Sequence, residues 1–225
     1  MILHLVTDRR RLAPGAGVED ALACLLEQAR AAAAAGVDVI QVRERDLDGR
    51  TLTALVRQIV AATRGSRTRV VVNDRLDVSL ASGADGVHLR GDSFEAHDVR
   101  PCVPPGFLIG RSVHSVAEAR ESGPVDYLVA GTLWPTPSKP ERHPLLGLDG
   151  LRAVVTSTAV PVLAIGGVGL DGVASLASTG AAGLAGIGIW MADAGNCRAI
   201  PLDDRVRAFH AAGEAANMGT HPQTD

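Results

Sequence analysis

The sequence is poor in aromatic residues and has no excess of positive charge. Aromatic residues make up 3% of the 225 residues, and the formal charge is −3 at pH 7. The chain therefore lacks the basic field that holds a phosphate backbone and the rings on which bases stack. These two shortages exclude nucleic acid as a main partner.

Cysteines and long apolar runs are also scarce. Cys24, Cys102 and Cys197 lie far apart and form no C-x-x-C pair, which argues against a disulfide framework or a zinc site and predicts reduced thiols. No run of about 18 uncharged apolar residues occurs, and the first residues lack the pattern of a signal peptide. We expect a soluble, cytoplasmic protein with no membrane partner.

Short runs rich in Val, Ile and Leu recur at roughly 25–30 residues and alternate with amphipathic stretches rich in Ala and Leu. The eight predicted strands are Leu3–Thr7, Asp38–Arg43, Arg69–Asn73, Gly86–Leu89, Leu108–Ser112, Tyr127–Gly131, Val162–Gly166 and Gly183–Ile187. The predicted helices are Val18–Ala35, Thr51–Thr63, Arg75–Ser82, Phe94–Arg100, Val116–Ser122, Leu148–Thr158, Leu170–Ser178 and Leu202–Ala216.

Strands that are apolar on both faces require a parallel sheet covered by helices. Eight β-α repeats in this length predict a single parallel (β/α)8 TIM barrel over residues 1–216. An open, doubly wound sheet is the competing architecture. The polar residues 217–225 have no periodicity, and we predict a disordered C-terminal tail.

Polar side chains follow the predicted strands at their carboxyl ends, where the chemistry of such a barrel is located. They are Gln41, Arg43 and Arg45 after the second strand, Asn73 and Asp74 after the third, His88, Arg90 and Asp92 at the fourth, and Ser112 and His114 at the fifth. Because Mg²⁺ usually binds one or two carboxylates together with substrate phosphates, Asp74 is the first candidate metal ligand. Its alternative role is to cap the following helix.

Two histidines have different prospects. His88 lies between apolar neighbours, so that a core histidine and a ligand contact are both open interpretations. His114 lies just past its strand and is better placed for proton transfer. The candidate catalytic residues are therefore His114, Ser112 on the same face of the strand, and Lys139.

The long loop after the sixth strand, residues 132–147, contains the only lysine of the chain, Lys139. A compact ammonium group in a sequence otherwise biased to arginine suggests a contact to an oxygen-rich anion. Thr136 and Ser138 add hydroxyl groups beside it. We interpret this loop as a mobile phosphate-binding flap, with an ordinary exposed turn as the alternative.

Glycines follow the last two strands. Gly166 and Gly167 follow the seventh strand, and Gly186, Ile187 and Gly188 end the eighth just before a candidate short helix. Backbone N–H groups at such loops can approach a phosphate closely. In barrels this pair of loops is the usual phosphate site, although a glycine pair also serves in any tight turn.

Several segments together resemble the thiamine-phosphate synthase and thiazole tautomerase superfamily over essentially residues 2–212. They are IQVRERD at Ile40–Asp46, VVNDRLDVSLASGADGVHL at Val71–Leu89, IGRSVHSVAEA at Ile109–Ala119, DYLVAGTLWPTPSKP at Asp126–Pro140 and PVLAIGGV at Pro161–Val168. The resemblance implies the same barrel fold.

For the synthase branch, the resemblance implies that a hydroxymethylpyrimidine diphosphate loses Mg-bound pyrophosphate and couples to a thiazole phosphate. The implied diphosphate ligands are Gln41, Arg43, Arg45, Asn73 and Lys139, with Thr136 and Ser138 assisting. Asp74 would hold Mg²⁺. Gly166, Gly167 and the amides of Gly186, Ile187 and Gly188 would bind the thiazole phosphate.

The chain departs from the synthase pattern at two positions. Arg45 stands where lysine is usual, which keeps the charge. Ser93 stands where a second magnesium carboxylate is usual, and Asp92 comes one residue early. Asp92 and Ser93 are therefore further candidate metal ligands.

The tautomerase branch resembles the chain in just these places, and there His114 would move a proton on a thiazole carboxylate phosphate. We favour the synthase because of Asn73, Asp74 and the intact TPSKP loop. The alternative from another class is a catalytically inactive barrel that binds phosphate ligands in regulation. The sequence leaves open the native thiazole phosphate and the oligomeric state, with a homodimer as one option.

Overall fold

Eight parallel strands close into a barrel. The computed structural model describes residues 1–136, 144–191 and 202–218, and within them each strand pairs with its neighbours in sequence while the eighth pairs with the first. The strands are β1 (Ile2–Val6), β2 (Val39–Val42), β3 (Arg69–Asn73), β4 (Gly86–Leu89), β5 (Leu108–Val113), β6 (Tyr127–Ala130), β7 (Val162–Ile165) and β8 (Gly183–Gly186). The predicted TIM barrel is confirmed, and the open sheet is wrong.

Helices surround the barrel in the described part of the chain. They are α1 (Arg9–Leu12), α2 (Val18–Ala35), α3 (Gly49–Thr63), α4 (Leu76–Ser82), α5 (Ala96–Val99), α6 (Val116–Arg120), α7 (Gly147–Thr156), α8 (Val173–Ala177) and α9 (Leu202–Met218). Short 3-10 turns lie at Arg100–Cys102, Leu170–Gly172 and Gly188–Trp190. The predicted elements agree with these bounds to within a residue or two, except that the predicted helix Leu170–Ser178 includes the 3-10 turn that precedes α8. The α1 turn was not predicted from the sequence.

Local signals set the ends of the long helices. Gly36 adopts φ 85° and ends α2 in the left-handed conformation that glycine adopts without strain. Asp48 caps α3, where its side chain accepts hydrogen bonds from the N–H groups of Arg50 and Thr51. These caps fix where each connection returns to the barrel.

The main core lies between the strands and the helices. Outward-facing strand residues such as Leu3, Ile40 and Val72 are fully buried against apolar helix faces that include Leu25 and Ile59. At about 25 cal/mol per Å² of apolar surface, this layer is the main stabilising contribution. Because this layer supplies most of the apolar burial, some of the inward-facing strand residues can be polar.

The barrel interior is partly polar. A small apolar cluster of Val6, Tyr127, Val129, Leu163 and Ala185 fills one portion. The inward-facing polar residues His4, Gln41, Asn73 and His88 are also buried.

A glycine makes room for the largest ring in the interior. A Cβ on Gly110 would lie 2.1 Å from Cζ of Tyr127. Only glycine at this position lets the tyrosine ring occupy the barrel.

One cysteine and the C-terminal end of the chain differ from what the sequence predicts. Cys24 is disulfide-bonded, so the expectation of three reduced thiols is wrong, because spacing along the chain does not decide proximity in a closed barrel. Cys102 is an exposed free thiol. Helix α9 extends to residue 218, two residues into the predicted tail, and residues 219–225 lie outside the described residues.

Among the described helices, none combines the length and apolarity that crossing a membrane requires.

Candidate active site

Two adjoining clefts lie at the carboxyl ends of the first strands. The first encloses about 370 Å³ and is lined by Asp8, Arg9, Arg10, Arg43, Glu44, Arg45 and Asp46. The second encloses about 230 Å³ and is lined by Val42, Glu44, Arg45, Leu47, Leu52, Asn73, Asp74, Arg75 and Arg90. Arg45 borders both clefts, so the structure brings Arg43, Arg45, Asn73 and Asp74 together around them.

The segment after β2 contributes two arginines, Arg43 and Arg45, to these clefts. Arg43 is half-buried and Arg45 is exposed. Burial, and then the neighbouring Arg45, lower the pKa of the Arg43 guanidinium from its ordinary value, but an arginine keeps its charge in proteins. Two guanidinium groups that repel one another favour an anion between them. Gln41, in the strand below, is buried inside the barrel.

A buried ion network supports this segment from behind. Glu44 is 4% exposed and accepts hydrogen bonds from the Thr7 hydroxyl at 2.7 Å and from Nη1 of Arg9 at 2.9 Å. Arg9 also contacts both carboxylate oxygens of Asp46, and its hydrogen bonds hold the pKa of Asp46 down to about 2. This network was not predicted from the sequence, where its one signal is the alternation of charge in Arg43–Asp46.

Asp74 has a strained backbone and an unsatisfied carboxylate oxygen. Its φ is 62°, in the left-handed region that non-glycine residues rarely adopt. Its Oδ1 atom is buried and has no hydrogen-bond partner among the described residues. The N-cap of α4 is Arg75, so the capping role for Asp74 is excluded. Strain and an unpaired buried acceptor are typical of a residue kept for ligand binding.

Arg90 brings the second candidate carboxylate near the first. Its guanidinium pairs with Oδ2 of Asp74 at 3.5 Å and with Oδ2 of Asp92. β4 ends at Leu89, so Asp92 lies in a loop, where a shift of one residue does not reverse the side chain as it would in a strand. Ser93 is half-buried in the same turn, with its N–H donating to the Arg90 carbonyl.

The residues present fit a magnesium ion held together with a diphosphate. Within the described residues, no group of three or more His, Cys, Asp or Glu side chains could hold a metal by itself. Mg²⁺ does not need such a group, since it commonly takes one or two carboxylates, substrate phosphate oxygens and water. The unpaired Oδ1 of Asp74 offers one such ligand, and Asp92 offers a second across the Arg90 guanidinium.

His88 and Ser112 form part of a hydrogen-bonded chain inside the barrel. Nε2 of His88 lies 2.9 Å from the Ser112 hydroxyl, and Nδ1 lies 3.2 Å from the Tyr127 hydroxyl. Burial lowers the pKa of His88 to about 3, which keeps the ring neutral. His88 is thus a satisfied core histidine, which positions Ser112 from below.

His4 contributes a second buried ring to this interior. Its ring centroid is 6.1 Å from that of His88. Both of its ring nitrogens are buried and unpaired within the described residues, and burial followed by the nearby His88 lowers its pKa well below the ordinary value. His4 was not predicted to be a functional residue, because it lies in an apolar run and carries no signal of its own.

His114 directly follows β5, at the carboxyl end of that strand. Its Nδ1 is 3.1 Å from Oε2 of Glu118, and its side chain is 47% exposed. Burial alone would raise the pKa of Glu118, but hydrogen bonds from the His114 N–H and ring outweigh this effect and lower it. This pairing holds His114 at the exposed rim.

The glycines after β7 are required by packing. A Cβ on Gly166 would lie 2.5 Å from Cγ2 of Thr132, and a Cβ on Gly167 would lie 2.8 Å from Cβ of Trp134. Their φ values of 101° and 72° also favour glycine. The start of the β6 loop therefore packs directly on the β7 loop.

The glycines after β8 approach another arginine. Gly186 ends the strand, Ile187 is half-buried, and Gly188 begins a 3-10 turn. A Cβ on Gly188 would lie 3.3 Å from Nη2 of Arg11. The predicted short helix after β8 is present, and a guanidinium lies beside it.

The predicted flap is described only at its start. Thr136 is half-buried, whereas Ser138 and Lys139 lie outside the described residues.

Known proteins resemble the chain along most of its length. A family model described as thiamine monophosphate synthase matches residues 4–189. A thiamine-phosphate synthase of Methanoculleus marisnigri is 40% identical over 188 residues, covering 82% of this chain and 89% of that protein. A thiamine-phosphate synthase of a Roseiflexus species is 38% identical over 212 residues, covering 93% of this chain and 84% of that protein.

Solved structures agree with this result. The structure of a thiamine phosphate pyrophosphorylase from Pyrococcus furiosus matches with a TM-score of 0.77 and 30% identity, covering 96% of both chains. The fold, the ordered polar residues at the barrel mouth and these matches lead to one conclusion. The chain belongs to the thiamine monophosphate synthase family.

Proposed function

We propose that the chain couples hydroxymethylpyrimidine diphosphate to a thiazole phosphate and releases pyrophosphate at the mouth of the barrel. It is a transferase, like the thiamine-phosphate synthases it matches. The geometry of Asp74 is the observation that supports placing the reaction at this cleft. Its strained backbone holds an unpaired carboxylate oxygen in the cleft that Asn73 and Arg45 also line.

The diphosphate is held over the ends of β2 and β3. Arg43 and Arg45 supply the positive charge and Asn73 an amide donor, while Gln41 reaches the same substrate from the barrel interior. Thr136, Ser138 and Lys139 complete the contacts from the β6 loop. Arginine suits this role because its planar fork matches two phosphate oxygens at once.

Asp74 would hold Mg²⁺, with Asp92 or Ser93 as the second protein ligand. When bound, the ion neutralises charge on the leaving diphosphate. For Asp92 to serve, its side chain must exchange its pairing with Arg90 for the ion. Arg90 then faces the diphosphate, since the same guanidinium borders the second cleft.

The bond changes place few demands on proton transfer. The C–O bond between the pyrimidine methylene and the diphosphate breaks with its electron pair on oxygen, and the thiazole nitrogen lone pair forms the new C–N bond. The protein therefore contributes mainly positioning and electrostatic stabilisation of the departing charge. Ser112, fixed by neutral His88, orients the pyrimidine ring in the mouth.

The thiazole phosphate is held at the opposite side of the mouth. The backbone N–H groups at Gly166, Gly167, Gly186, Ile187 and Gly188 supply its donors, as glycine-rich loops after the last two strands commonly do. Both substrates carry several negative charges and do not cross membranes unaided, which supports a cytoplasmic location.

A turnover assay tests the proposal. Purified protein is mixed with the pyrimidine diphosphate, Mg²⁺ and each of the two thiazole phosphates, and pyrophosphate release and thiazole isomerisation are followed separately. We expect Mg-dependent pyrophosphate release, lost in Asp74→Asn and kept in the exposed control Asp77→Asn. Isomerisation without pyrophosphate would instead support the tautomerase with His114, and binding without either reaction would support the regulatory barrel.

A further inference from the structure

The first helical turn, α1, ties the loop after β1 to the segment after β2. Arg9 is 4% exposed, and its Nη1 lies 2.9 Å from Oε2 of Glu44 and 2.7 Å from Oδ1 of Asp46. Its Nη2 contacts the other oxygen of Asp46. One guanidinium therefore contacts two carboxylates that lie on either side of Arg45.

Thr7 joins the same network and reaches the backbone of the first arginine. Its hydroxyl donates to Oε1 of Glu44 at 2.7 Å and accepts from the N–H of Arg43 at 2.9 Å. The N–H of Arg9 adds a further bond to Oε1 of Glu44 at 3.1 Å. The backbone at Arg43 and both side chains that flank Arg45 are thus fixed to the β1 loop.

Anion binding by Arg43 and Arg45 benefits from a backbone that is held in place. Each has a long side chain that loses rotamer freedom when it binds an anion, and an arginine beside another arginine is repelled from it. A backbone held in one conformation reduces the freedom that must be lost on binding.

We propose that Arg9 is a positioning residue for diphosphate binding: with Thr7, Glu44 and Asp46 it holds Arg43 and Arg45 in the geometry that grips the leaving group. The inference rests on the proposed function, since it assigns the diphosphate to the two arginines. Arg9 acts through the side chains of Glu44 and Asp46. Although it borders the first cleft, both terminal nitrogens of its guanidinium are occupied by these carboxylates, so we assign it no contact with the diphosphate.

The network has the features of positioning. A buried ion pair is weak evidence for a gain in stability, because the cost of desolvation offsets the attraction. A guanidinium that contacts two separate carboxylates adds geometric definition. The ion pair of Arg30 with Glu27 on α2 provides the comparison, since both side chains are more than half exposed and neither lines the two clefts.

Binding of magnesium pyrophosphate, measured by isothermal titration, tests the proposal independently of turnover. Arg9→Lys keeps a positive charge for Glu44, but the ammonium group cannot contact both carboxylates at once. Asp46→Asn weakens the contact of Arg9 with residue 46. We expect the Kd for magnesium pyrophosphate to rise about tenfold in each, because small misplacements of binding groups carry costs of this order or larger. We also expect an equal rise in KM for the pyrimidine diphosphate.

The controls separate positioning from general damage. In both variants the Kd for thiazole phosphate should stay at the wild-type value. Arg30→Lys, at an exposed ion pair with Glu27 that lines neither cleft, should match wild type for both ligands. Equal weakening of both ligands, or unchanged pyrophosphate binding in Arg9→Lys, would overturn the proposal. A wild-type protein that binds pyrophosphate but does not turn over would refute the proposed function alone. Failure of the wild type to bind pyrophosphate would refute both.

Discussion

Replacing Asp74 with glycine should make the protein more stable and inactive. The aspartate adopts φ 62° and leaves its buried Oδ1 without a partner among the described residues. Glycine adopts this backbone conformation without steric cost and carries no carboxylate. The substitution therefore removes two unfavourable features together with the candidate metal ligand.

The structure gives the magnitude. Relief of the left-handed strain contributes about 1–2 kcal/mol, and removal of the unpaired buried acceptor about 1–3 kcal/mol. Against this stand the backbone entropy of glycine, about 0.5–1 kcal/mol, and the half-exposed contact with Arg90 at 3.5 Å, worth at most about 1 kcal/mol. We expect a net gain of about 0–4 kcal/mol in the free energy of unfolding, centred near about 2 kcal/mol, and a gain of that central size raises Tm by about 4–8 °C.

Thermal and urea unfolding measure the gain, and Mg-dependent pyrophosphate release measures the loss of activity. We expect turnover to fall by about 10²-fold or more, the effect of removing one preorganised electrostatic contact. Asp74→Asn is the matched control, because asparagine tolerates the same backbone conformation and should be inactive at nearly wild-type stability. A glycine variant that is less stable than wild type, or one that keeps its activity, would refute the reasoning.

Three further predictions follow from the barrel interior and the β6 loop. Gly110→Ala places a Cβ 2.1 Å from the Tyr127 ring and should lower the free energy of unfolding by about 1–3 kcal/mol or more. The control Gly65→Ala has open space around its Cβ and should cost only the left-handed strain of about 1 kcal/mol. Equal losses of stability in urea unfolding would contradict the packing of Tyr127 against Gly110. Because burial lowers the pKa of His88 to about 3, the unfolded chain takes up a proton below about pH 6.5 that the folded protein excludes. Stability should therefore be complete above pH 6.5 and fall by about 1.4 kcal/mol per pH unit for this residue on acidification towards pH 3, and a flat profile from pH 7 to pH 4 would be inconsistent with a buried neutral ring. Lys139→Ala should abolish most turnover while far-ultraviolet circular dichroism and Tm stay unchanged, and full activity in this variant would remove the lysine from the site.

Much of the fold could be predicted because the signal is strong and repeated. Eight apolar runs such as Arg69–Asn73, each followed by an amphipathic stretch, specify a parallel sheet covered by helices. The α1 turn escaped prediction because three consecutive arginines lack apolar periodicity. The turn depends on a single cap, in which the Asp8 side chain accepts a bond from the N–H of Arg11.

The site could be predicted in part, for a physical reason. The proposed ligand-binding residues Asn73 and Asp74 lie at and just after the end of β3, so their place is visible in the sequence. A residue that acts through others is not visible in the sequence in this way. The contact of Arg9 with Glu44, for example, joins positions 35 residues apart. The unpaired oxygen of Asp74 likewise becomes evident only when its surroundings are known.

The most direct test of the account is a crystal structure of the protein with Mg²⁺, thiazole phosphate and an unreactive pyrimidine diphosphate analogue. The account predicts two occupied anion sites at one barrel mouth, with the diphosphate on Arg43 and Arg45, the ion on Asp74, and the second phosphate on the amides after β7 and β8. A diphosphate bound elsewhere, or a single anion site shared by the two substrates, would contradict it.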